Sequence, residues 1–305
     1  MSVPDERPAR RRMHHDEVLT DTGAVRRLLA AQFPRWADLP LALVESWGTD
    51  HDVYRLGRDL SVRLPRIAWA SDQAAKEGRW LPVLAPHLPV AVPEQVAVGD
   101  PGEGCPFGWS VHRWLPGRPP GPTDDRGVLA DGLAGFVRAL RTVPTSGAPP
   151  RRPGVRGAPL AELDEGFRAA LTRLGDRVDG RAVLRLWEES LSAPPWDGPG
   201  QWLHGDLLPG NLLVGSGRLT GVIDFGALGV GDPACDLQPV WNVFDGPGRR
   251  RFLEQVGADA ASVLRGRGWT TWQAVVALPY YWDTNPGVVR QASRALAAAL
   301  EDPRP

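Results

Sequence analysis

WLHGDLLPGNLLVGSGRLTGVIDFGALGVGDPACDL, residues 202–237, is the stretch around which the rest of the chain is organised. Two short apolar runs, NLLV (211–214) and GVID (221–224), flank Gly215-Ser216-Gly217-Arg218, whose turn chemistry predicts a β-hairpin. Asp206 and Asn211 stand at or just before the first run, Asp224 closes the second, and Asp232 and Asp236 follow. An apolar hairpin with carboxylates at both ends is a poor design for stability alone, because clustered carboxylates repel unless a cation joins them. Any one of these acids reads equally well as a cap or a solvated loop residue. The ordered set does not.

Composition narrows the field. With 305 residues, 42% hydrophobic and 23% charged, the chain suits one large or two modest globular domains. A net charge of −1 provides no bulk field for nucleic acid or an anionic membrane. The basic runs at Arg10-Arg11-Arg12 and Arg249-Arg250-Arg251 read first as solvated surface. Two distant cysteines, Cys105 and Cys235, fit a reduced cytoplasm. No apolar run approaches the roughly 18 residues of a membrane span, and no apolar segment follows the Arg-rich start as a signal peptide requires.

Taken in order, residues 1–15 are charged and carry Pro4 and Pro8, which predicts a disordered tail. A helix is expected over Thr22–Phe33, then strands over Leu41–Trp47, Val53–Leu56 and Leu60–Leu64 in an antiparallel meander. Ser71 or Asp72 caps a helix that Pro82 and Pro86 break, and strands follow at Ala91–Val98 and Trp109–Trp114. Pro116-Gly117-Arg118-Pro119-Pro120 reads as a linker. Beyond it the pattern is helical: Val128–Leu140, Leu160–Leu174, Arg181–Leu191, Gly248–Val256, Trp269–Leu278 and Val288–Leu300, with a Pro/Gly/Arg-rich loop over 145–159. The sum is an α+β chain in two lobes. A small antiparallel β-sheet lobe with one inserted helix (16–115) precedes a larger, mainly helical lobe (116–305), and ligands favour the crevice between them.

Phosphoryl transfer needs a group that orients the attacking hydroxyl, oxygen ligands for Mg²⁺ and positive charge on the phosphates. The Pro209-Gly210 turn folds Asp206 and Asn211 toward one site, and Asp224 approaches from the other strand. That is a carboxylate for the hydroxyl, and an amide and a carboxylate for a metal that takes few protein ligands.

The stretch resembles the aminoglycoside phosphotransferase family, a branch of the protein-kinase-like fold. His204-Gly205-Asp206 with Asn211, Ile223-Asp224-Phe225-Gly226, and Gly231-Asp232-Pro233-Ala234-Cys235-Asp236 match, in order, that family's catalytic loop, metal motif and following segment. The lobe pattern extends the match from about residue 39 to 300. The resemblance implies that Asp206 orients or deprotonates the acceptor hydroxyl and that Asn211 and Asp224 hold Mg²⁺. It implies that Asp236 braces the catalytic loop, that Asp232 is a helix N-cap and that His204 orients the loop as a buried imidazole. Leu208 departs from the family, which commonly carries a second His there, but removes none of the acid or metal ligands.

The family also places a cation on the third strand and a Glu on the next helix. Lys76, the only lysine, lies on the helix. Arg63 is therefore expected on the phosphates, with Glu77 as its ion partner and Arg55 and Arg66 as alternatives. Gly48 opens the loop expected over the phosphates, although Asp50 and Asp52 beside it repel a triphosphate unless they turn away. The backbone of Arg113 and Trp114, at the joint between lobes, is expected to pair with the purine edge of ATP, or of GTP.

An aminoglycoside acceptor is a polycation and wants carboxylates. From Trp241 onward six acids face eight Arg, and of these Asp245 and Asp283 are the candidate ammonium contacts. Macrolide, sugar and amino-alcohol acceptors stay open. The expected protein is a cytoplasmic monomer or homodimer, Mg²⁺-dependent, that phosphorylates a small-molecule hydroxyl. The rival from another class is a nucleotide-binding module without turnover, suggested by the absent strand lysine and the acidic loop.

Overall fold

The computed structural model describes residues 12–45, 48–148 and 154–302. It is an α+β fold in two lobes. The small lobe opens with α1 (Thr22–Gln32), capped by the Asp21 side chain on the Ala24 N–H. Then come β1 (Leu41–Leu43), β2 (His51–Leu56), β3 (Leu60–Pro65), α2 (Gln73–Leu84), β4 (Gln95–Gly99) and β5 (Trp109–Arg113). The five strands form one antiparallel sheet in the order β1-β2-β3-β5-β4. Its apolar face, with Tyr54, Leu56, Val62, Leu64, Trp109 and Val111, packs on Val25, Leu28 and Leu29 of α1.

The large lobe contains α3 (Arg126–Thr142), α4 (Asp164–Leu174), α5 (Gly180–Ser192), β6 (Gln201–Leu203), β7 (Leu212–Gly215), β8 (Arg218–Val222), β9 (Gly229–Gly231), α6 (Pro239–Asn242), α7 (Gly246–Val256), α8 (Ala260–Tyr281) and α9 (Pro286–Glu301). The expected hairpin is β7–β8, and its central residues Ser216 and Gly217 both take the positive φ of a type I′ turn. The short pair β6–β9 brings the two ends of the 202–237 stretch side by side. One apolar core joins α3, α7 and the hairpin, and a second joins α4, α5, α8 and α9.

The structure departs from the sequence reading at several points. The strand expected to reach Trp47 ends at Leu43, and residues 46 and 47 lie outside the described residues. The helix expected to break at Pro82 continues through it to Leu84. Proline removes one backbone hydrogen bond there, but Leu81 and Leu84 bury their side chains against the large lobe, and the helix stops at the next proline-containing turn. α8 begins nine residues before the expected Trp269, at Ala260.

The tail expected to be disordered lies mostly outside the described residues, but its end is ordered. His14 is buried, with Nδ1 2.9 Å from the Tyr280 hydroxyl and Nε2 2.9 Å from the Thr49 carbonyl. Its ring also meets Trp69 and Tyr281 edge-on. A segment from before the small lobe thus fastens that lobe's loop to the end of α8. Charge and proline composition, which predicted disorder, do not register such a long-range anchor.

Candidate active site

The 202–237 stretch folds into its site through backbone links. The Asn211 carbonyl accepts from the Ile223 N–H (2.9 Å), so Asp224, the next residue, is fixed relative to the Asp206–Asn211 turn. His204 makes a second link. Its Nδ1 accepts from the Asp206 N–H (3.2 Å), which leaves Nε2–H to donate to the Ile223 carbonyl (3.0 Å). Both ring nitrogens are engaged as only the neutral tautomer permits, and burial pushes the imidazole below its ordinary value. Gly205, between His204 and Asp206, has φ +80°, and a Cβ there would sit 2.9 Å from the Ala227 carbonyl. Asp236 accepts from the N–H groups of His204 (2.8 Å) and Gly205 (2.7 Å), bracing the loop from below. Asp232 caps Ala234 (2.9 Å) and pairs with Arg265 (2.7 Å).

Asp206 is held by three donors. Its Oδ2 accepts from Asn211 Nδ2 (3.0 Å), and its Oδ1 accepts from Gln273 Nε2 (2.7 Å) and Arg156 (3.3 Å). A carboxylate offers about four acceptor positions, so one remains for an incoming hydroxyl. Burial raises the Asp206 carboxyl above its ordinary value; Arg156 and Gln273 oppose this, while Asp224 and Asp50 add to it.

Asp224 adopts the left-handed conformation (φ 64°, ψ 71°), uncommon outside glycine, and keeps its side chain 38% exposed to the crevice. Burial alone would raise its carboxyl, but Arg63, His51 and His204 bring it below the ordinary value. Arg63 spans the crevice, donating to Glu77 (2.7 Å) and to Asp224 (3.3 Å). Burial opposes its charge, but Glu77 and Asp224 more than compensate and raise the guanidinium further. The alternatives are engaged elsewhere: Arg66 pairs with Asp52 (2.7 Å) in the interior, and Arg55 lies over the Trp114 ring (4.0 Å). Asp52 is thereby turned away from the crevice, which removes one of the two acids expected to repel a triphosphate. Gly48 is exposed beside Thr49 and Asp50. Lys76 donates to the Gly226 and Leu228 carbonyls, tying α2 to the loop after Asp224.

The donor set suits Mg²⁺. The Asn211 NH₂ is engaged by Asp206, leaving the amide oxygen to face a metal, and Asp224 supplies a carboxylate. No three His, Cys, Asp or Glu converge as a metal cage among the described residues. Two hard-oxygen donors beside phosphates are a normal Mg²⁺ arrangement.

Two groups of expected residues stand differently. The Arg113 N–H donates to the Glu94 carbonyl (2.8 Å) and the Trp114 N–H to the Asp59 carbonyl (2.8 Å). Both N–H donors are thus engaged within the small lobe. Asp245 and Asp283 are exposed and make no hydrogen bond or ion pair with Asp206 among the described residues. Asp283 follows Gln273 by ten residues along and past α8, about 15 Å at the helical rise. Asp245 sits before α7, which packs on α3.

The residues at Asp206 are instead Arg156 and Gln273, and the Arg156 guanidinium lies over the Trp272 ring (5.1 Å). Neither carried a motif: Arg156 lies within the Pro/Gly/Arg-rich loop over 145–159, and Gln273 looks like any polar helix position. Gly157 explains the placement of Arg156. Its carbonyl accepts from the Asp232 N–H (2.9 Å), its φ is +80°, and a Cβ would meet Leu203 at 2.5 Å.

A family model described as the phosphotransferase enzyme family matches residues 42–275. An aminoglycoside 3′-phosphotransferase from Escherichia coli is 29% identical over 136 residues, 43% of this chain and 50% of its own length. The chain thus spans about half the length of the first curated relatives it matches. Among solved structures, the GDP complex of aminoglycoside 2′-phosphotransferase-IIIa superposes with a TM-score of 0.71 at 20% identity, over 92% of this chain and 99% of that one. A macrolide 2′-phosphotransferase from Brachybacterium faecium superposes with a TM-score of 0.58 at 27% identity, over 92% and 99%.

Proposed function

The chain belongs to the phosphotransferase enzyme family, and on that premise we propose that it transfers the γ-phosphate of a purine nucleoside triphosphate to a hydroxyl of a small molecule, with an aminoglycoside-type antibiotic as the leading acceptor. One observation carries the reading. A carboxylate, Asp206, is held by three donors with one acceptor position left, beside an amide and a second carboxylate that a cation, Arg63, already touches.

In this reading Asp206 accepts a hydrogen bond from the acceptor hydroxyl and aims its oxygen at the γ-phosphorus. Positioning matters more than proton removal, because the transition state is loose and the alcohol's proton leaves late. Asn211 fixes the Asp206 carboxylate and, with Asp224, would hold Mg²⁺, which when bound neutralises phosphate charge. Arg63 presents its guanidinium to the phosphates while Glu77 holds it in place. His204, Asp232 and Asp236 keep the two carboxylates at a fixed separation. Gly48 and Thr49 lie over the phosphates.

A second acceptor class has its own support. Arg156, stacked on Trp272, stands at Asp206, and the macrolide enzyme is 27% identical. No helix among the described residues is long and apolar enough to cross a membrane, and Cys105 and Cys235 are buried free thiols. A cytoplasmic setting, where nucleoside triphosphates are abundant, suits the reaction.

The test is nucleotide consumption with Mg-ATP and Mg-GTP against aminoglycosides, macrolides, sugars and amino alcohols. The reading expects phosphorylation of at least one class. Nucleotide binding without any phosphorylated product across the panel would instead support a binding module without turnover.

A further inference from the structure

The segment before α1 crosses from one lobe to the other. Glu17, which is buried, accepts from the N–H groups of Met13 (2.6 Å) and His14 (3.3 Å) and so folds residues 13–17 into a turn. Arg66, just after β3, holds this turn on the small lobe. Its carbonyl accepts from the Val18 N–H (2.7 Å), and its guanidinium meets Glu17 (3.6 Å) and the Met13 sulfur (3.2 Å). On the large lobe the Tyr280 hydroxyl meets His14 Nδ1 (2.9 Å), and Asn285 Nδ2 donates to the Met13 sulfur (3.3 Å). His14 also reaches the loop that carries Thr49. A carbonyl can only accept, so His14 Nε2 carries the hydrogen and donates to the Thr49 oxygen (2.9 Å). The His14 ring meets Trp69 of the small lobe (5.0 Å) and Tyr281 of the large lobe (5.9 Å) edge-on. Thr49 is thereby linked to the end of α8. The next residue, Asp50, is held by the small lobe: its carbonyl accepts from the Arg66 N–H (2.8 Å) and its carboxylate from Gln73 Nε2 (3.2 Å), at the start of α2.

We propose that His14 is a positioning residue that clasps the loop over the phosphates to the end of α8, so that nucleotide enters and leaves the crevice when this clasp opens. The inference rests on the phosphotransferase reading, in which Gly48 and Thr49 cover the phosphates, and it concerns a device outside the Asp206 site. The clasp is asymmetric. Its small-lobe end is held by an ion pair and a backbone hydrogen bond, whereas its large-lobe end is held by the hydroxyl of an exposed tyrosine, a thioether that accepts only weakly, and ring contacts. The large-lobe end is therefore the one that lets go, and the segment travels with the small lobe and its loop. Few contacts break in that step, as suits a lid that opens in each turnover. His14 touches protein groups only, so it favours the closed crevice equally with and without nucleotide. Loosening it therefore speeds entry and exit together and leaves affinity nearly unchanged.

Stopped-flow fluorescence on the full chain, with Mg²⁺ and the N-methylanthraniloyl derivatives of ADP and GDP, tests this. His14→Ala should raise the association and dissociation rates together, each about tenfold, with the dissociation constant within about threefold of wild type. Tyr280→Phe keeps the ring and removes only the hydroxyl. It should raise both rates about threefold, and it serves if the alanine variant does not fold. His14→Gln, whose amide nitrogen can donate to the Thr49 carbonyl from the place of Nε2, should bring both rates back toward wild type. Unchanged rates in His14→Ala and Tyr280→Phe overturn the inference and leave the phosphotransferase reading intact. Faster dissociation with unchanged association also overturns it, because His14 would then add affinity rather than gate the crevice. So does an acceleration that His14→Gln fails to reverse, which would come from a loosened fold. If wild type binds neither nucleotide, the phosphotransferase reading fails and the inference falls with it.

Discussion

Arg63 occupies the position where the family resemblance expects a lysine, and its fork explains how the exchange works. One nitrogen reaches Glu77 and another reaches Asp224. Lysine, a point charge, would satisfy both only in turn. Arg63→Lys should therefore keep the fold and raise the nucleotide KM about tenfold, as loss of one charge-assisted contact implies, with kcat less affected. Arg63→Met should do more harm, because it leaves Glu77 buried without its cation, a loss of about 3–5 kcal/mol. Chemical denaturation and initial-rate kinetics on the two variants separate these effects. At this scale the sequence was legible wherever the chemistry is local. Asp206, Asn211 and Asp224 lie within nineteen positions of one another, and Arg63 follows from the strand cation that the resemblance implies, since the only lysine lies on a helix. Arg156 and Gln273 were not legible, because each reaches Asp206 from more than forty positions away with no motif around it.

Elements differ in how far local pattern determined them. The hairpin and the long helices follow from turn residues and apolar periodicity. The three-residue pair β6–β9 was missed because its strands are too short to show alternation, yet it sets the position of the 202–237 stretch. It also forces a close approach: a Cβ on Gly231 would lie 2.4 Å from the Gly157 carbonyl. Gly231→Ala should push the Gly157 segment outward and weaken acceptor use through Arg156, raising acceptor KM while nucleotide binding measured by calorimetry stays near wild type. The anchoring segment before α1 was missed for another reason, since its tethers, His14 on Tyr280 and Thr49 and Met13 on Asn285, all reach residues distant in sequence. His14→Ala removes two part-buried hydrogen bonds and a ring contact with Tyr281 that together join the lobes. It should cost about 2 kcal/mol in a denaturant melt.

At the scale of the whole molecule, the lobes meet over a set of buried imidazoles. Burial, aided by Arg63, pushes His51 and His112 down to about 3, and burial lowers His204 as well. Each value lies below that of the unfolded chain, so below pH 6.5 the unfolded chain binds the extra protons. The histidine contribution to stability is therefore full above about pH 6.5 and declines as the pH falls from there toward about 3, with each site contributing about 1.4 kcal/mol per pH unit. The buried carboxyls of Asp206, Glu77 and Asp236, which are raised, act in the opposite direction, so the histidine share is read from the slope of melting temperature between pH 7 and pH 5 in variants. His112→Gln should flatten the slope by one histidine's share, and an unchanged slope would show that His112 does not titrate in this way.

The two-lobed arrangement places the Asp206–Asn211–Asp224 cluster opposite Arg63, and the central claim is that this cluster transfers phosphate. The most direct measurement incubates wild type and Asp206→Asn with a Mg-nucleotide and an accepted hydroxyl compound, and reads both the phosphorylated product by mass spectrometry and nucleotide affinity by calorimetry. Wild type should convert the acceptor. The variant should bind nucleotide as tightly and form product at least a thousandfold more slowly, the loss expected when the group that positions the nucleophile is gone. A variant that still turns over at a comparable rate would contradict the account.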